Sequence, residues 1–241
     1  MTTETATATA IDTVDISLDA ATVKKMLPAL AKFCSDNDAR PVLTTILIMA
    51  KPKDSTVEFV AADGWTLGVV SLDIQTDTYL RVQEFATMFP NGFLLQDSDA
   101  KSIAKLIKVA RYPQEPSTIM RFERGSNWPD CHSNRTGTVT VLDSTGMAVT
   151  PPFNDEGSNG GQFPKYGGLL PEAERVAADS HVHLNPALLA KIATLGSAIG
   201  CMQIRLGLGS KVEPLLVTGS SAKCDGVSMT AVQMPMHMRK Q

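Results

Sequence analysis

Residues 40–74 read RPVLTTILIMAKPKDSTVEFVAADGWTLGVVSLDI. Three apolar runs, Val42–Met49, Val57–Ala61 and Leu67–Ile74, read as strands. The polar stretches Lys51–Ser55 and Asp63–Gly64 supply the turns between them. Upstream, Val14, Ile16 and Leu18 alternate with polar residues, as in a half-buried strand. Asp19 then has the character of an N-cap, and Val23, Met26, Leu27, Leu30 and Phe33 recur at helical spacing. Pro28 lies within that helix and is expected to kink or delay it, because it removes one helical hydrogen bond.

The order strand, helix, then strands separated by turns occurs twice more. The second unit opens at Phe93-Leu94-Leu95, continues in a helix over Asp99–Ala110, and predicts strands at Ile119–Phe122, Thr138–Leu142 and Met147–Val149. A long polar loop, Gly125–Gly137, separates the first two of these, and PPFNDEGSNGG at 151–161 reads as a flexible connection. The third unit opens at His181, Val182 and Leu184, with its helix starting at Pro186 and strands at Met202–Leu208, Pro214–Val217 and Val227–Met234. The plan is therefore a disordered tail (1–11), a domain of two units (12–162), a linker (163–180) and a third unit standing as half a domain (181–241). The fold class is α+β, built from repeated β-α-β-β-β units.

Composition sets the bounds on function. A 43% hydrophobic and 20% charged chain is an ordinary globular one, with enough apolar material for a core. The net charge of −3 gives no global attraction to nucleic acid, so any DNA binding needs a local basic face. Such a face is visible on the second helix. Ile103, Leu106, Ile107 and Ala110 fall on one side, Lys101, Lys105 and Lys108 fall almost opposite, and Arg111 lies on their flank. Lys24, Lys25 and Lys32 repeat the tendency in the first helix, while the third has only Lys191. A lysine row can follow phosphates without reading sequence, although a solvated helix face has the same appearance.

The four cysteines, Cys34, Cys131, Cys201 and Cys224, form no CxxC pair and suit a reducing, cytoplasmic setting. No apolar run approaches the ~20 residues that span a bilayer, so no membrane partner is expected. His181-x-His183 and Cys131-His132 lack further ligands or a productive nucleophile–base geometry. The glycines of Gly157–Gly161 and Gly207-x-Gly209 lack the context of a phosphate loop. The sequence thus nominates no catalytic residue, no metal site and no cofactor, and predicts a non-enzyme.

Three segments taken together resemble the bacterial DNA polymerase III beta sliding clamp. Residues 40–74 match an R-x-x-L segment leading into paired strands and a T-D-G-aromatic-R-L-A turn, here Ala62-Asp63-Gly64-Trp65-Thr66-Leu67-Gly68. FPKYGGLLPE at 163–172 looks like the family's F-P-D-Y linker, and VQMPMHM at 232–238 looks like its closing V-x-M-P-M-x-L strand. The resemblance implies a ring with sheets outside and helices facing a DNA channel. It also implies a hydrophobic cleft that receives short peptides from DNA polymerases and the clamp loader. Carried over residue by residue, that cleft comprises Leu43, Gly64, Trp65, Thr66, Leu67, Pro164, Leu169, Val232, Met234, Pro235 and Met236. Leu43 and Leu67 read equally well as core residues closing a sheet. Methionine and leucine make a deformable groove, and Trp65 could anchor a leucine or phenylalanine side chain.

The departures from the family pattern are specific. Thr66 stands where the family has arginine, and Gly168 falls where a basic residue can occur. The family has six units per chain, against three here. Four chains would supply the twelve units of a complete ring, so the resemblance implies a homo-oligomer, a tetramer by this count. The partners implied are double-stranded DNA, bound without regard to sequence, and polymerase or loader peptides. The alternative is a reduced adaptor or decoy that keeps the cleft and never encircles DNA.

Overall fold

The structure is a computed structural model. It describes residues 13–37, 39–74, 79–109, 117–124, 137–142, 152–153, 163–169, 185–207 and 214–234. The strands expected at His181–Leu184 and Met147–Val149, the tail, Arg111, Pro235 and Met236 lie outside these.

Strand β1 (Thr13–Asp19) leads into α1 (Ala20–Leu30), and the Asp19 carboxylate accepts the Thr22 amide at 2.6 Å as the N-cap. The helix runs through Pro28 and passes directly into a 3-10 turn, Ala31–Phe33. A further 3-10 turn over Pro41–Thr44 shortens the next strand, so β2 is Thr45–Lys51 where Val42 was the expected start. Strands β3 (Thr56–Ala62) and β4 (Thr66–Asp73) follow as expected. Helix α2 (Tyr79–Met88) was not anticipated; it buries Val82, Phe85 and Met88. Then come β5 (Phe93–Gln96), α3 (Asp97–Leu106), β6 (Ser117–Arg124), β7 (Gly137–Leu142) and the short β8 (Pro152–Phe153). The third unit supplies α4 (Pro186–Ala198), β9 (Cys201–Gly207), β10 (Leu215–Ser221) and β11 (Val227–Gln233).

Helix α3 ends four residues earlier than its spacing predicts. Ile107 turns out of the helix at ψ 118°, which leaves Lys108 beyond the last turn. Of the expected apolar face, Ile103 and Ile107 are buried, Leu106 is half-buried and Ala110 lies outside the described residues; Ala100 and Ala104 complete the buried side.

Among the described residues strand pairing is antiparallel, in two sheets ordered β1-β6-β7-β8 and β5-β2-β3-β4-β11-β10-β9. The first strand of each early unit therefore joins the other unit's sheet: β5 pairs with β2, and β1 with β6. The third unit extends the first unit's sheet through β4 and β11, from Leu72↔Val227 to Thr66↔Gln233.

Period-two alternation sends neighbouring residues of the long sheet to opposite faces. Ile46, Ile48, Phe59, Val70 and Met229 enter the main core beneath the helices, where α1 packs against both α3 and α4. Leu47, Val60, Leu67, Val69 and Val232 point the other way and form a second, smaller core with Phe163 and Tyr166. At Gly68 the helical side is so close that a Cβ would lie 3.1 Å from Phe33 and 3.2 Å from Leu195. That close approach seats α4 across the junction of the first and third units.

Candidate peptide cleft and basic helix face

The second core opens into a cleft of about 490 Å³, on the sheet face opposite the helices. Its floor comes from the sheet itself, with Ala62, Leu67 and Val232 half-facing it from adjacent strands. One wall is the 163–169 segment. Tyr166 is buried there and its hydroxyl donates to Glu58, which also pairs with Lys51 at 3.5 Å. The Lys51 ammonium lies 5.6 Å from the Tyr166 ring centroid, adding a cation–π contact. Burial, with the Glu58 carboxylate beside it, pushes the phenol well above its ordinary range. This anchoring holds Pro164 and Gly168 at the cleft.

The opposite lip is the β3–β4 turn. Asp63 Oδ1 accepts the amides of Trp65 at 2.9 Å and Thr66 at 2.7 Å, an Asx turn that needs the positive φ of Gly64, 90°. Asp63 Oδ2 receives the Lys191 ammonium at 2.8 Å, tying the turn to α4. The turn presents Trp65 at 67% exposure, and its carbonyl accepts the Met234 amide at 3.0 Å. Trp65 and Met234, 43% exposed, thus form one apolar rim.

Burial alone would raise the Asp63 carboxyl, but Lys191 and the two amides outweigh it and hold the carboxyl below its ordinary range. A carboxyl depressed on folding stabilises above its unfolded pKa, and that stability is lost as pH falls through the folded value. Asp63→Asn keeps an oxygen for the two amides and loses the ion pair. It is expected to lower stability by about 1 kcal/mol at neutral pH, the pair being only partly buried. The gap to the native protein in urea midpoint should close below roughly pH 4. Equal gaps at neutral and strongly acid pH would show that the ion pair contributes nothing.

Of the eleven residues nominated from sequence, Leu43, Gly64, Trp65, Thr66, Leu67, Pro164, Val232 and Met234 line this one cleft. Leu169 ends the 3-10 turn Tyr166–Leu169, while Pro235 and Met236 lie outside the described residues. Sequence reasoning missed Arg40, Ala62, Tyr166 and Pro214 as lining residues and treated Gly168 only as a departure. Arg40 matters most, because it puts a cation at the cleft despite Thr66 standing in place of arginine. Tyr166 was within reach of the sequence, since an aromatic sits in the quoted linker string.

The basic face is weaker than its spacing implies. Lys101 is bonded to Asp97 at 2.6 Å, and Asp97 and Asp99 in the first turn of α3 offset Lys101 and Lys105. The Lys24 ammonium donates to the carbonyl of Ile107 at 2.7 Å, closing the end of α3. Lys25, Lys32, Lys105 and Lys108 are exposed. Lys191, on α4, is engaged with Asp63. Cys34 is buried, and burial with nearby Asp97 pushes its thiol up to about 12, an unreactive group. Among the described residues no cluster of three His, Cys, Asp or Glu could hold a metal, and no helix is long and apolar enough to cross a membrane.

No family model and no curated protein matches the chain. Solved structures do. The DNA polymerase III subunit beta of Pseudomonas aeruginosa bound to griselimycin is 15% identical, with a TM-score of 0.58 over 95% of this chain and 66% of its own. The Bartonella birtlesii sliding clamp, also bound to griselimycin, is 14% identical with a TM-score of 0.60 over 93% and 66%. The beta sliding clamp of C. crescentus is 12% identical with a TM-score of 0.62 over 96% and 67%. The chain spans about two thirds of the length of these neighbours. Mostly antiparallel sheets with helices packed on one face, in this order, give the chain the fold of the bacterial DNA polymerase III beta sliding clamps.

Proposed function

We propose that this chain is the subunit of a sliding clamp that encircles duplex DNA and docks partner peptides in the cleft. The observation carrying this reading is the convergence of residues 40–67, 163–168 and 214–234 on one apolar groove. A groove of that volume, rimmed by Trp65 and Met234, suits one or two apolar side chains of an extended peptide. Arg40 gives a neighbouring acidic group of that peptide a partner. Docking would act by raising the local concentration of a polymerase on DNA, with no reaction of the clamp's own. The helices would face the DNA, with Lys25, Lys32 and Lys105 meeting phosphates without reading bases. Four chains of three units would complete the ring.

The offsetting of Lys101 by Asp97 favours a second reading, an adaptor or decoy that keeps the cleft and does not encircle DNA. Topology separates the two. A ring should stay on closed circular plasmid through a gel-filtration column and be lost when the plasmid is linearised. Lys25, Lys32 and Lys105 changed together to alanine should lower the salt slope of duplex binding by about two to three, at ~0.9 per phosphate contact. Equal loss from circular and linear DNA would favour the adaptor.

A further inference from the structure

We infer that the β9 edge is a self-association surface, on which the third unit of a second copy of this chain docks reciprocally. The internal repetition of the fold points to that occupant. In both early units the strand after the helix, β2 or β6, carries on its outer edge the first strand of another unit, β5 or β1. Among the described residues, strand β9 holds the same position after α4 and ends its sheet, and β1 and β5 are already committed.

The side chains agree with the hydrogen-bonding edge. On β2 the helix-side residues Ile46 and Ile48 are fully buried, as are Met120 and Phe122 on β6. Ile204 faces α4, its Cγ2 being 3.5 Å from where a Cβ on Gly196 would stand. Alternation puts Leu206 on that face too, while an extra residue between Ile204 and Cys201 brings Cys201 there and leaves Met202 at a bulge. Yet Leu206 is 50% and Ile204 39% exposed. An open edge joined to an apolar row is what a sheet shows when a neighbouring strand and helix are missing.

Two-fold pairing suits the occupant. Among the described residues, the first two units meet reciprocally, each lending its first strand, antiparallel, to the strand after the other's helix. A reciprocal contact between third units would repeat that relation between chains. It would turn two half domains into one complete domain.

The inference deepens the clamp reading and rests on its description of the units, but its test involves neither DNA nor peptide. Light scattering at micromolar concentration should give an even-numbered oligomer. Leu206→Glu with Ile204→Glu should reduce the mass at least by half while leaving the far-ultraviolet circular dichroism unchanged. Leu206→Glu alone, at a site half open to water in the single chain, guards against misfolding as the cause and should weaken association at least about tenfold. Hydrogen exchange should show residues 201–207 protected in the native protein and at least about tenfold faster in Leu206→Glu. A monomer, an odd-numbered oligomer, or variants with the native mass and exchange would overturn the inference. Circular plasmid retained by such variants would leave the clamp reading standing without it, whereas assembly without retention would do the reverse.

Discussion

Replacing Trp65 by alanine is expected to weaken docking of a short leucine- and phenylalanine-containing peptide at least about 30-fold, while the fold stays intact. Trp65 is 67% exposed at the cleft rim, so the single chain loses little packing when the ring is removed. A surface substitution of this kind costs within about 0.5 kcal/mol of stability. The turn that presents it depends on Asp63, Gly64 and backbone amides, none of which is altered. A bound peptide, by contrast, would bury the indole against its own apolar side chain. Central aromatic anchors of this type contribute about 2 kcal/mol or more, which is a factor of roughly 30 in affinity. Anisotropy of a labelled peptide measures it, and an affinity change below about threefold would remove Trp65 from the site.

The second large effect concerns how the first two units interlock. Gly92 precedes β5 at φ 79°, and a Cβ there would lie 2.5 Å from Leu47 Cδ1 and 2.8 Å from the Ile48 carbonyl oxygen. One of those neighbours is backbone of β2, the strand that receives β5, so it cannot swing away. Behind β5, Phe93 packs edge-on against Phe89 and Phe122 at 5.3 Å, and Phe85 packs on Phe122 at 4.9 Å. Gly92→Val combines a left-handed backbone conformation with overpacking of a closed core, each worth about 1–3 kcal/mol. A loss of about 3 kcal/mol is expected, lowering the melting temperature by roughly 6–12 °C in a chain of this size. Calorimetry reads this directly. A shift under about 2 °C would mean that β5 does not seat on β2 as described.

The parts legible in the sequence were those set by local pattern. Period-two runs placed β2, β3 and β4 to within a few residues, and the Asp19 cap with helical spacing placed α1. Helix α2 was legible and overlooked, since Val82, Phe85 and Phe89 stand three and four residues apart. The same holds for Lys101, whose i−4 neighbour Asp97 is the ordinary partner on a helix. Strand exchange between the units was not legible, because β5 and β2 pair across more than forty residues and each reads alike with any neighbour. In the cleft, the string around Trp65 announced itself and Arg40 stood in the R-x-x-L segment, three residues before Leu43, but was passed over, whereas Pro214 carries no local signal and enters only when the chain folds back on itself.

The account stands on a single groove, assembled from three distant stretches, that accepts a peptide. Trp65 reports on it from within, since the chain has only two tryptophans and Trp128→Phe leaves Trp65 as the sole emitter. Titration with a leucine- and phenylalanine-containing peptide should shift its emission to the blue, saturating at one peptide per chain. Emission that stays that of a water-exposed indole at millimolar peptide would contradict the account.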